Sequence, residues 1–481
     1  MLKGFCRNFG PLQIATEEQI EAIHRGTLDV LRETGIRFES KKALRLFEKN
    51  DCMVDHGKSR VRFPEGLVEE CLRKCPSSFR VKARDSKNDV VIGGNTVYFR
   101  NFPGMQTVDL NTWEPRTATR EEYYDYVTIL DALDNCHIIG GYPYFGFEGI
   151  SEVMKIPEGV AAKIRRSTKI QFAAYSRECE MFNIEMAQAA GTEIFGIIES
   201  APPLTFYGNA VENALRTTRA GFPMMLASGL VYGATGPATI AGSIISNNAE
   251  NLASMVLLQL MRPRMRVVAK EFTFPQDMRT GSPVFGAIGI SLHGTMMNQL
   301  YRHYRIPIVN ASLAPSSSKS IDFQCGYERG IGALAAAVSG ASIIDLHGAI
   351  SSELTAHPVQ AILDRDIAGM IGRFLEGVEV SDETLALDLI EEVGPIPGMF
   401  LDKEHTRKWW KKEQFIPKAA DRRTYPDWMK TEKKSALDYA KEEMEQILAT
   451  HKPTPLTPGQ DQDIERILEE ARQYYRRQEL L

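Results

Sequence analysis

Short apolar segments alternate with longer amphipathic segments from about residue 137 onward, and this alternation constrains the fold more than any other feature. A short apolar run bounded by glycine or polar residues is typical of a buried strand, whereas a longer run with 3.6-residue periodicity is typical of a helix. Seven strand-then-helix units follow one another within about 240 residues. The predicted strands are 137–142, 170–175, 203–207, 224–228, 266–271, 306–310 and 343–347, and the clearest predicted helices are 209–220, 238–260, 286–304 and 323–339.

This rhythm predicts an α/β fold, specifically a (β/α)8 TIM barrel. A doubly wound open sheet is the main alternative. That fold usually carries Gly-x-Gly-x-x-Gly at its first strand-to-helix turn, and no such turn opens the first helix here. Polar and aromatic residues also recur at many strand ends rather than at one crevice. The eighth strand is not evident, and its candidates are residues 398–401 and the N-terminal region.

We predict three parts of the chain. Residues 1–125 form an N-terminal α+β decoration packed on the barrel, residues 126–400 form the TIM-barrel domain, and residues 401–481 form a C-terminal helical extension. The decoration combines three predicted helices with short predicted strands. The extension ends in a charged amphipathic helix that could clamp the barrel or a sister subunit, so we expect a homo-oligomer.

Composition excludes several classes of function. A net charge of -5 on 481 residues, without long blocks of like charge, gives no electrostatic case for nucleic acid. The most apolar stretch, residues 331–346, is shorter than the roughly 20 residues that span a bilayer, so we expect no membrane contact. The seven scattered cysteines are odd in number, which suits a reducing compartment, and we expect a cytoplasmic protein.

The last predicted strand ends in a histidine. Side chains alternate along a strand, so Ile343, Asp345 and His347 share one face. Because the other face must be apolar to pack against helices, we expect Asp345 and His347 to point into the barrel, with His347 at its mouth. Asp345 would then select the tautomer of His347 or hold a cation. The alternative is that His347 only satisfies a loop backbone group.

The strand at 266–271 offers a choice between two adjacent charged residues. Lys270 and Glu271 cannot both point inward while the strand stays regular. An inward Lys270 permits a Schiff-base lyase, because a desolvated lysine has a lowered pKa. An inward Glu271 makes the mouth anionic and suits a cationic ligand. A solvated ion pair at the strand end is the third possibility.

Aromatic residues are frequent near the predicted strand ends and loops. Such rings hold quaternary ammonium groups by cation–π attraction, which contributes about 2 kcal/mol per ring when desolvated. Most of these rings should be core residues, and we expect two or three to meet a ligand. The candidates are Tyr98, Phe99, Phe102, Tyr142, Tyr144, Phe145, Tyr175, Tyr207, Phe272 and Phe274.

A glycine-rich turn at 232–239 follows a predicted strand and opens a predicted helix. The free N–H groups of a helix start accept a carboxylate or phosphate, so Gly236 is a candidate binding position, although glycine and proline also mark ordinary helix starts. Cys71 and Cys75 lie one helical turn apart without a histidine partner, and we predict no metal site.

Five segments in their order and spacing resemble the trimethylamine methyltransferase superfamily, specifically its members that lack pyrrolysine and demethylate quaternary amines. The likeness covers nearly the whole chain, which contains only ordinary residues. The segments are Thr-Trp-Glu-Pro-Arg-Thr-Ala-Thr at 112–119, Gly-Ala-Thr-Gly-Pro-Ala-Thr-Ile-Ala-Gly at 233–242, Ala-Glu-Asn-Leu-Ala at 249–253, Gln-Cys-Gly-Tyr-Glu at 324–328 and Glu-His-Thr at 404–406.

The resemblance implies a TIM barrel that presents a methylated amine to a corrinoid, held by a small carrier protein or bound free, whose cobalt(I) takes the methyl group. It implies that His347 lies near substrate and corrinoid as an orienting residue, beside a corrinoid contact at Gly236. Glu271 and Asp345 would supply negative potential for the ammonium. The implied aromatic cage draws on Tyr98, Phe102, Tyr142, Tyr207 and Phe274.

Glycine betaine is the substrate that the resemblance favours, with proline betaine, carnitine and γ-butyrobetaine as alternatives. A quaternary ammonium leaves as a neutral tertiary amine, so its demethylation depends on positioning rather than on acid–base chemistry. A substrate carboxylate would meet the turn at 233–236, His347 or an arginine. Two other functions stay open at this point: a Schiff-base lyase that uses Lys270, and a noncatalytic amine-binding or carrier-docking subunit.

Overall fold

The computed structural model describes residues 3–481 and contains a closed barrel of eight parallel strands. The strands are β1 Thr96–Asn101, β2 Ile138–Ile139, β3 Ile170–Phe172, β4 Ile194–Ser200, β5 Met224–Ser228, β6 Val267–Glu271, β7 Ile308–Asn310 and β8 Ile343–His347. The helices that follow them are α1 Arg120–Ala132, α2 Lys155–Arg166, α3 Glu180–Ala189, α4 Gly208–Ala220, α5 Ile240–Met261, α6 Ile288–His303, α7 Phe323–Ser339 and α8 Pro358–Leu375. β8 pairs with β1 and closes the ring, so the predicted (β/α)8 barrel is confirmed.

Two strands differ from the sequence prediction. The first barrel strand, β1, lies inside the segment predicted as decoration, so the barrel begins before residue 126, and residues 398–401 form no strand. The fourth strand is β4 rather than 203–207. Within that predicted segment, only Thr205–Phe206 is extended, and it pairs with Ile36–Phe38 of a small N-terminal sheet. The physical reason is length, because β4 is the longer uninterrupted buried run and the later segment begins with prolines.

The barrel interior is apolar toward the amino ends of the strands and is closed at that end. Inward-facing residues such as Ile197, Val268 and Ile343 belong to one buried cluster with Val81 and Ile92. The last two come from a hairpin of strands Ser78–Val81 and Val90–Gly93, which is bonded to the starts of β4 and β6 through Lys82 and Arg80. An open space for a ligand therefore remains at the carboxyl ends of the strands.

The rest of the chain packs on the outside of the barrel. N-terminal helices Glu17–Asp29 and Glu65–Lys74 contact α5, and a capping box at Thr16 begins the first of them. The C-terminal helix Pro458–Arg477 contacts α2 and α3, and helix Ala436–Thr450 contacts α1 and α8. Both helices therefore pack on the outer helices of this barrel. No helix within residues 3–481 is long and apolar enough to cross a membrane.

The other elements are short. The remaining helices are Val30–Thr34, Lys41–Lys49, Ser86–Asn88, Glu152–Met154, Asp382–Leu385, Leu387–Val393, Glu404–Glu413 and Tyr425–Met429. The remaining strands are Phe5–Cys6, Met53–Asp55, Arg60–Arg62, Thr107–Val108, Pro115–Arg116, Val231–Tyr232, Phe274–Asp277, Ser282–Pro283, Ala349–Ile350 and Thr355–Ala356.

Candidate active site

A cavity of about 400 Å³ opens at the carboxyl ends of the barrel strands. This volume lies within the roughly 300–1,000 Å³ typical of small-molecule sites. Its walls combine aromatic rings with five charged side chains. The lining residues are Arg100, Phe102, Pro103, Gly140, Gly141, Tyr142, Phe145, Ile156, Phe172, Ala174, Tyr175, Ser176, Ile197, Glu199, Asn209, Lys270, Phe272, Asp345 and Glu353.

Aromatic rings form much of the wall, and they come from the ends of different strands. Phe102 follows β1 and lies 6.2 Å from Phe272, which follows β6 (ring centroids). Tyr142 follows β2, and its ring centroid is 5.2 Å from that of Phe145. Phe172 ends β3. Rings that converge from separate strands surround the space between them, an arrangement that suits a quaternary ammonium.

A buried ion pair lies below these rings. The guanidinium of Arg100 binds the carboxylate of Asp345 through two hydrogen bonds, and Nη2 to Oδ2 measures 2.6 Å. Both side chains are almost fully buried, and the Arg100 Cζ atom lies 5.4 Å from the centroid of the Phe172 ring. Asp345 points into the barrel as predicted, but its charge is already neutralised.

Lys270 also points into the cavity. Its Nζ atom lies 4.3 Å from the centroid of the Phe272 ring and 4.0 Å from Oε1 of Glu199. No residue between 3 and 481 accepts a hydrogen bond from this ammonium, although only 10% of the side chain is exposed. Lys270 therefore offers unused N–H donors to whatever occupies the cavity.

Glu353 reaches the cavity from the turn after β8. The two residues before it, Ser351 and Ser352, both adopt left-handed backbone conformations, with φ of 52° and 64°. Their N–H groups donate to Ser318 O and Ser316 O, each at 2.8 Å, which fixes the turn against the loop after β7. Non-glycine residues in this region cost about 1–2 kcal/mol each, and such strain concentrates at functional sites.

The carboxylate of Glu353 has no basic group within 4.0 Å in the described chain, unlike those of Asp345 and Glu199. Burial raises its pKa, Lys270 opposes that shift, and the carboxylates of Glu199 and Asp345 add to it. The cavity thus holds three carboxylates and two cations. One uncompensated negative charge makes it a site for a cation.

A buried lysine outside the cavity makes hydrogen bonds to the backbone of the cavity wall. Lys163 of α2 donates to three carbonyl oxygens: Gly140 O at 3.0 Å, Gly141 O at 2.7 Å and Phe172 O at 2.6 Å. Burial, with a smaller contribution from Arg100, lowers the pKa of Lys163 to about 7. All three carbonyls belong to cavity-lining residues, so Lys163 sets the shape of this wall.

His347 does not line the cavity, which corrects the prediction that it stands at the barrel mouth. The register between β8 and β1 shifts between Asp345 and His347, so the alternation of side chains breaks at this point. His347 is fully buried between the barrel and the surrounding helices, where its Nε2 atom lies 3.2 Å from Oδ1 of Asn135. Burial drives the pKa of His347 well below its ordinary value, and nearby His137 and Arg329 lower it further. The imidazole is therefore neutral.

Glu271 also lies outside the cavity, because Lys270 takes the inward position of the pair. The Glu271 carboxylate is fully buried and accepts hydrogen bonds from Thr273 Oγ1 at 2.5 Å and Ser312 Oγ at 2.6 Å. His293 Nδ1 lies 3.2 Å from its Oε1 atom. These groups tie β6 to the loop after β7 and to α6. Glu271 thus supplies no direct contact to a ligand in the barrel.

The other predicted residues divide into two groups. Phe102 and Tyr142 line the cavity, whereas Tyr98, Tyr207, Phe274 and Gly236 do not. The Tyr98 hydroxyl accepts a hydrogen bond from Val91 N in the closing hairpin, and Tyr207 is 52% exposed beside α4. Phe274 packs on Phe285, with ring centroids 4.2 Å apart. Gly236 belongs to a turn that is bonded internally to Val231 O.

Several cavity residues were missed by the sequence analysis. The strand that carries Arg100 was predicted only as a short strand of the N-terminal decoration, and the strand that carries Glu199 was not predicted, although Arg100 lies two positions before Phe102 and shares its face. Tyr175 and Phe272 appeared only among the general aromatic candidates. Glu353 gave no periodic signal because it lies in a turn. Residues 3–481 contain no cluster of three or more His, Cys, Asp or Glu side chains arranged to hold a metal ion.

Comparison with known proteins extends this description. The family model for trimethylamine methyltransferase (MTTB) matches residues 1–474. The glycine betaine methyltransferase of Desulfitobacterium hafniense (strain Y51) is 31% identical over 93% of this chain and 95% of its own length. The trimethylamine methyltransferase MttB of D. hafniense (strain DSM 10664 / DCB-2) is 28% identical over 96% of this chain and 94% of its own.

A solved structure shares the fold. The monomethylamine methyltransferase (MtmB) of Methanosarcina barkeri matches with a TM-score of 0.51 and 12% identity, covering 95% of this chain and 92% of that protein. At this identity the likeness supports the barrel architecture alone. The match to the family model over almost the entire length shows that this chain belongs to the trimethylamine methyltransferase (MTTB) family.

Proposed function

We propose that this protein removes one N-methyl group from a quaternary amine, with glycine betaine as the preferred substrate, and delivers it to a corrinoid on a small carrier protein. The observation that carries the proposal is the charge of the cavity, because three carboxylates face only two cations among rings of Phe102, Tyr142, Phe172, Tyr175 and Phe272. A permanently charged, methylated ammonium group fits the carboxylate that lacks a basic partner and the rings around it. The 31% identity to a glycine betaine methyltransferase supports the choice within this class.

The chemistry fits the groups that are present. When a methyl group leaves a quaternary ammonium, the C–N bond breaks and its electron pair stays on nitrogen, so the amine departs neutral and needs no proton. The cavity accordingly needs groups that hold and aim the cation rather than a general acid. Glu353 and the rings bind the ammonium, and Lys163 holds the wall that orients it.

A corrinoid would supply a cobalt(I) nucleophile, and the mouth at the carboxyl ends of the strands is where it would approach. The rim next to the cavity suits a flat apolar surface. Met105, whose Sδ atom lies 3.6 Å from the Tyr142 hydroxyl, is 41% exposed, and Leu354, adjacent to Glu353, is 62% exposed.

The seven cysteines are free thiols, which supports a cytoplasmic location.

Methyl transfer to free cob(I)alamin tests the proposal. Each candidate amine is mixed with protein and cob(I)alamin without oxygen, and the rise of the methylcobalamin spectrum is followed. We expect transfer from glycine betaine, weaker transfer from proline betaine, carnitine or γ-butyrobetaine, and none from trimethylamine. Failure with every quaternary amine, both with free cobalamin and with a purified corrinoid carrier, would overturn the proposal.

One observation keeps a second candidate function in view, because Lys270 points into the cavity as a Schiff-base lysine would. Borohydride reduction in the presence of a carbonyl substrate would add that substrate's mass to Lys270 if the protein were such a lyase. We expect no adduct, because the excess of negative charge and the aromatic rings of the cavity suit a cationic amine rather than a carbonyl substrate.

A further inference from the structure

The two cavity cations differ in how their charge is used. The Arg100 guanidinium is held by two hydrogen bonds to one carboxylate, whereas the Lys270 ammonium donates no hydrogen bond to any residue from 3 to 481. Glu199, the acid nearest to Lys270, remains 4.0 Å away and is itself 42% exposed. The Nζ atom is open to the cavity, so its N–H donors are free to bind an anionic group of a ligand there.

Lys270 is positioned so that an anionic group of a ligand can accept its hydrogen bonds. The side chain points from β6 into the cavity, and its Nζ atom makes a cation–π contact with Phe272, 4.3 Å from the ring centroid. A carboxylate can accept several hydrogen bonds. A ligand carboxylate would therefore give Lys270 charge-assisted hydrogen bonds in place of its distant contact to Glu199. Lys270 is thus the available cationic partner for a substrate carboxylate.

The opposite charge of such a substrate also has a place. Glu353 carries the unpaired carboxylate of the cavity, and it stands among the rings that suit a methylated ammonium. The cavity therefore presents an anion without a basic group within 4.0 Å and a cation that donates no hydrogen bond within the described chain. A zwitterion matches both, whereas a simple tetraalkylammonium ion matches only the anion.

The groups that the sequence suggested for a substrate carboxylate are not available for it. The turn that contains Gly236 and the ring of His347 both lie outside the cavity lining. Arg100 lines the cavity but is committed to Asp345. Lys270 is the cationic group that remains.

We propose that Lys270 binds the carboxylate of a zwitterionic quaternary amine and thereby selects betaines over simple quaternary ammonium ions. This inference rests on the proposed function, because it names the substrate class of the same cavity. Lys270 acts here as a specificity-determining residue that contacts the substrate but takes no part in breaking the C–N bond.

The test compares two substrates in two variants. In K270M, kcat/KM for glycine betaine should fall about 10- to 100-fold, which corresponds to losing one charge-assisted hydrogen bond. The value for tetramethylammonium should stay the same or rise, because that ion has no group for Lys270 to bind and the variant removes a repelling positive charge. K319M is the matched control, since Lys319 is exposed on the loop after β7 and does not line the cavity. K270R should restore part of the selectivity.

Two results would overturn the inference. An equal loss for both substrates would mean that Lys270 only maintains the cavity, and no loss for either would mean that the carboxylate binds elsewhere. Thermal unfolding of each variant checks that the fold survives. Methionine matches the length of lysine, and removing a poorly paired buried cation should not lower stability.

Calorimetric binding without corrinoid separates this inference from the proposed function. Glycine betaine should bind wild-type protein more tightly than K270M, and tetramethylammonium should bind K270M at least as tightly as wild-type protein. If wild-type protein binds betaine with this pattern but transfers no methyl group, the proposed function fails and the inference stands. If the wild-type protein binds neither ion, the inference fails as well.

Discussion

Replacing Glu353 with glutamine isolates the contribution of the unpaired cavity carboxylate. The substitution keeps the size of the side chain and removes its charge. Glu353 has no basic partner within 4.0 Å in the described chain, so the change leaves no cation of the protein unpaired. The loss should therefore fall on the ligand rather than on the fold.

The expected magnitude follows from Coulomb's law for an ammonium in contact with the Glu353 carboxylate. Two unit charges about 5 Å apart attract by about 3 kcal/mol at an effective dielectric constant of about 20. Lys270 and the open mouth weaken this attraction, so we expect a loss of about 2 kcal/mol, or roughly a 30-fold rise in KM. The ammonium loses its charge as the methyl group departs, so Glu353 favours the bound substrate over the transition state. The kcat of E353Q should accordingly stay the same or rise.

Steady-state methyl transfer at several pH values is the assay. Because the pKa of Glu353 is raised, substrate affinity in the wild-type protein should fall as the pH drops through that raised value, whereas affinity in E353Q should not change there. The folded state holds this proton more tightly than the unfolded chain. Stability from Glu353 is therefore present at low pH and lost as pH rises through the folded pKa, so E353Q should melt at the same or a higher temperature at pH 7.

E114Q is the matched control for this experiment, since Glu114 is exposed on the hairpin after β1 and outside the cavity. Its KM should equal that of the wild-type protein. Two results for E353Q would contradict the proposed role of Glu353: an unchanged wild-type KM, or a loss of kcat with KM unchanged. The first result would place the cation elsewhere, and the second would give Glu353 a role in bond breaking.

Three further variants test the framework around the cavity by chemical unfolding. K163M should lower the unfolding free energy by about 2–4 kcal/mol, because three buried carbonyls lose their donor; unchanged stability would show that this wall stands without the lysine. D364N leaves the fully buried Arg329 guanidinium without its bidentate partner, and we expect a cost of about 3–5 kcal/mol. H347A should destabilise the fold by about 2–4 kcal/mol without changing KM, whereas lost turnover in a fully stable H347A variant would support the orienting role that the family resemblance implies.

Much of the barrel could be predicted because its strands are buried on both faces and its helices on one. The apolar periodicity of 224–228, 266–271 and 343–347 located β5, β6 and β8 almost to the residue. β1 was not recognised as a barrel strand because a hairpin and a long loop separate it from α1, which hides the strand-to-helix rhythm. Segment 203–207 was misplaced because its pairing partner lies far away in the N-terminal region.

The site was predictable where strand alternation holds and unpredictable where it fails. Alternation correctly placed Asp345 in the barrel and required that only one of Lys270 and Glu271 point inward. It failed at His347 because a register shift reverses the facing of that residue. Glu353 depends on two left-handed serines and on bonds to a distant loop, and no periodic pattern encodes such a turn.

The most direct test of the central claim follows the methyl group itself. Glycine betaine that carries deuterated N-methyl groups is incubated with the protein and cob(I)alamin, and both products are measured by mass spectrometry. We expect deuterated methylcobalamin and dimethylglycine to appear in equal amounts, and an unlabelled excess of trimethylamine should not reduce them. Dimethylglycine without labelled cobalamin, or no dimethylglycine at all with either free cobalamin or a corrinoid carrier, would contradict it.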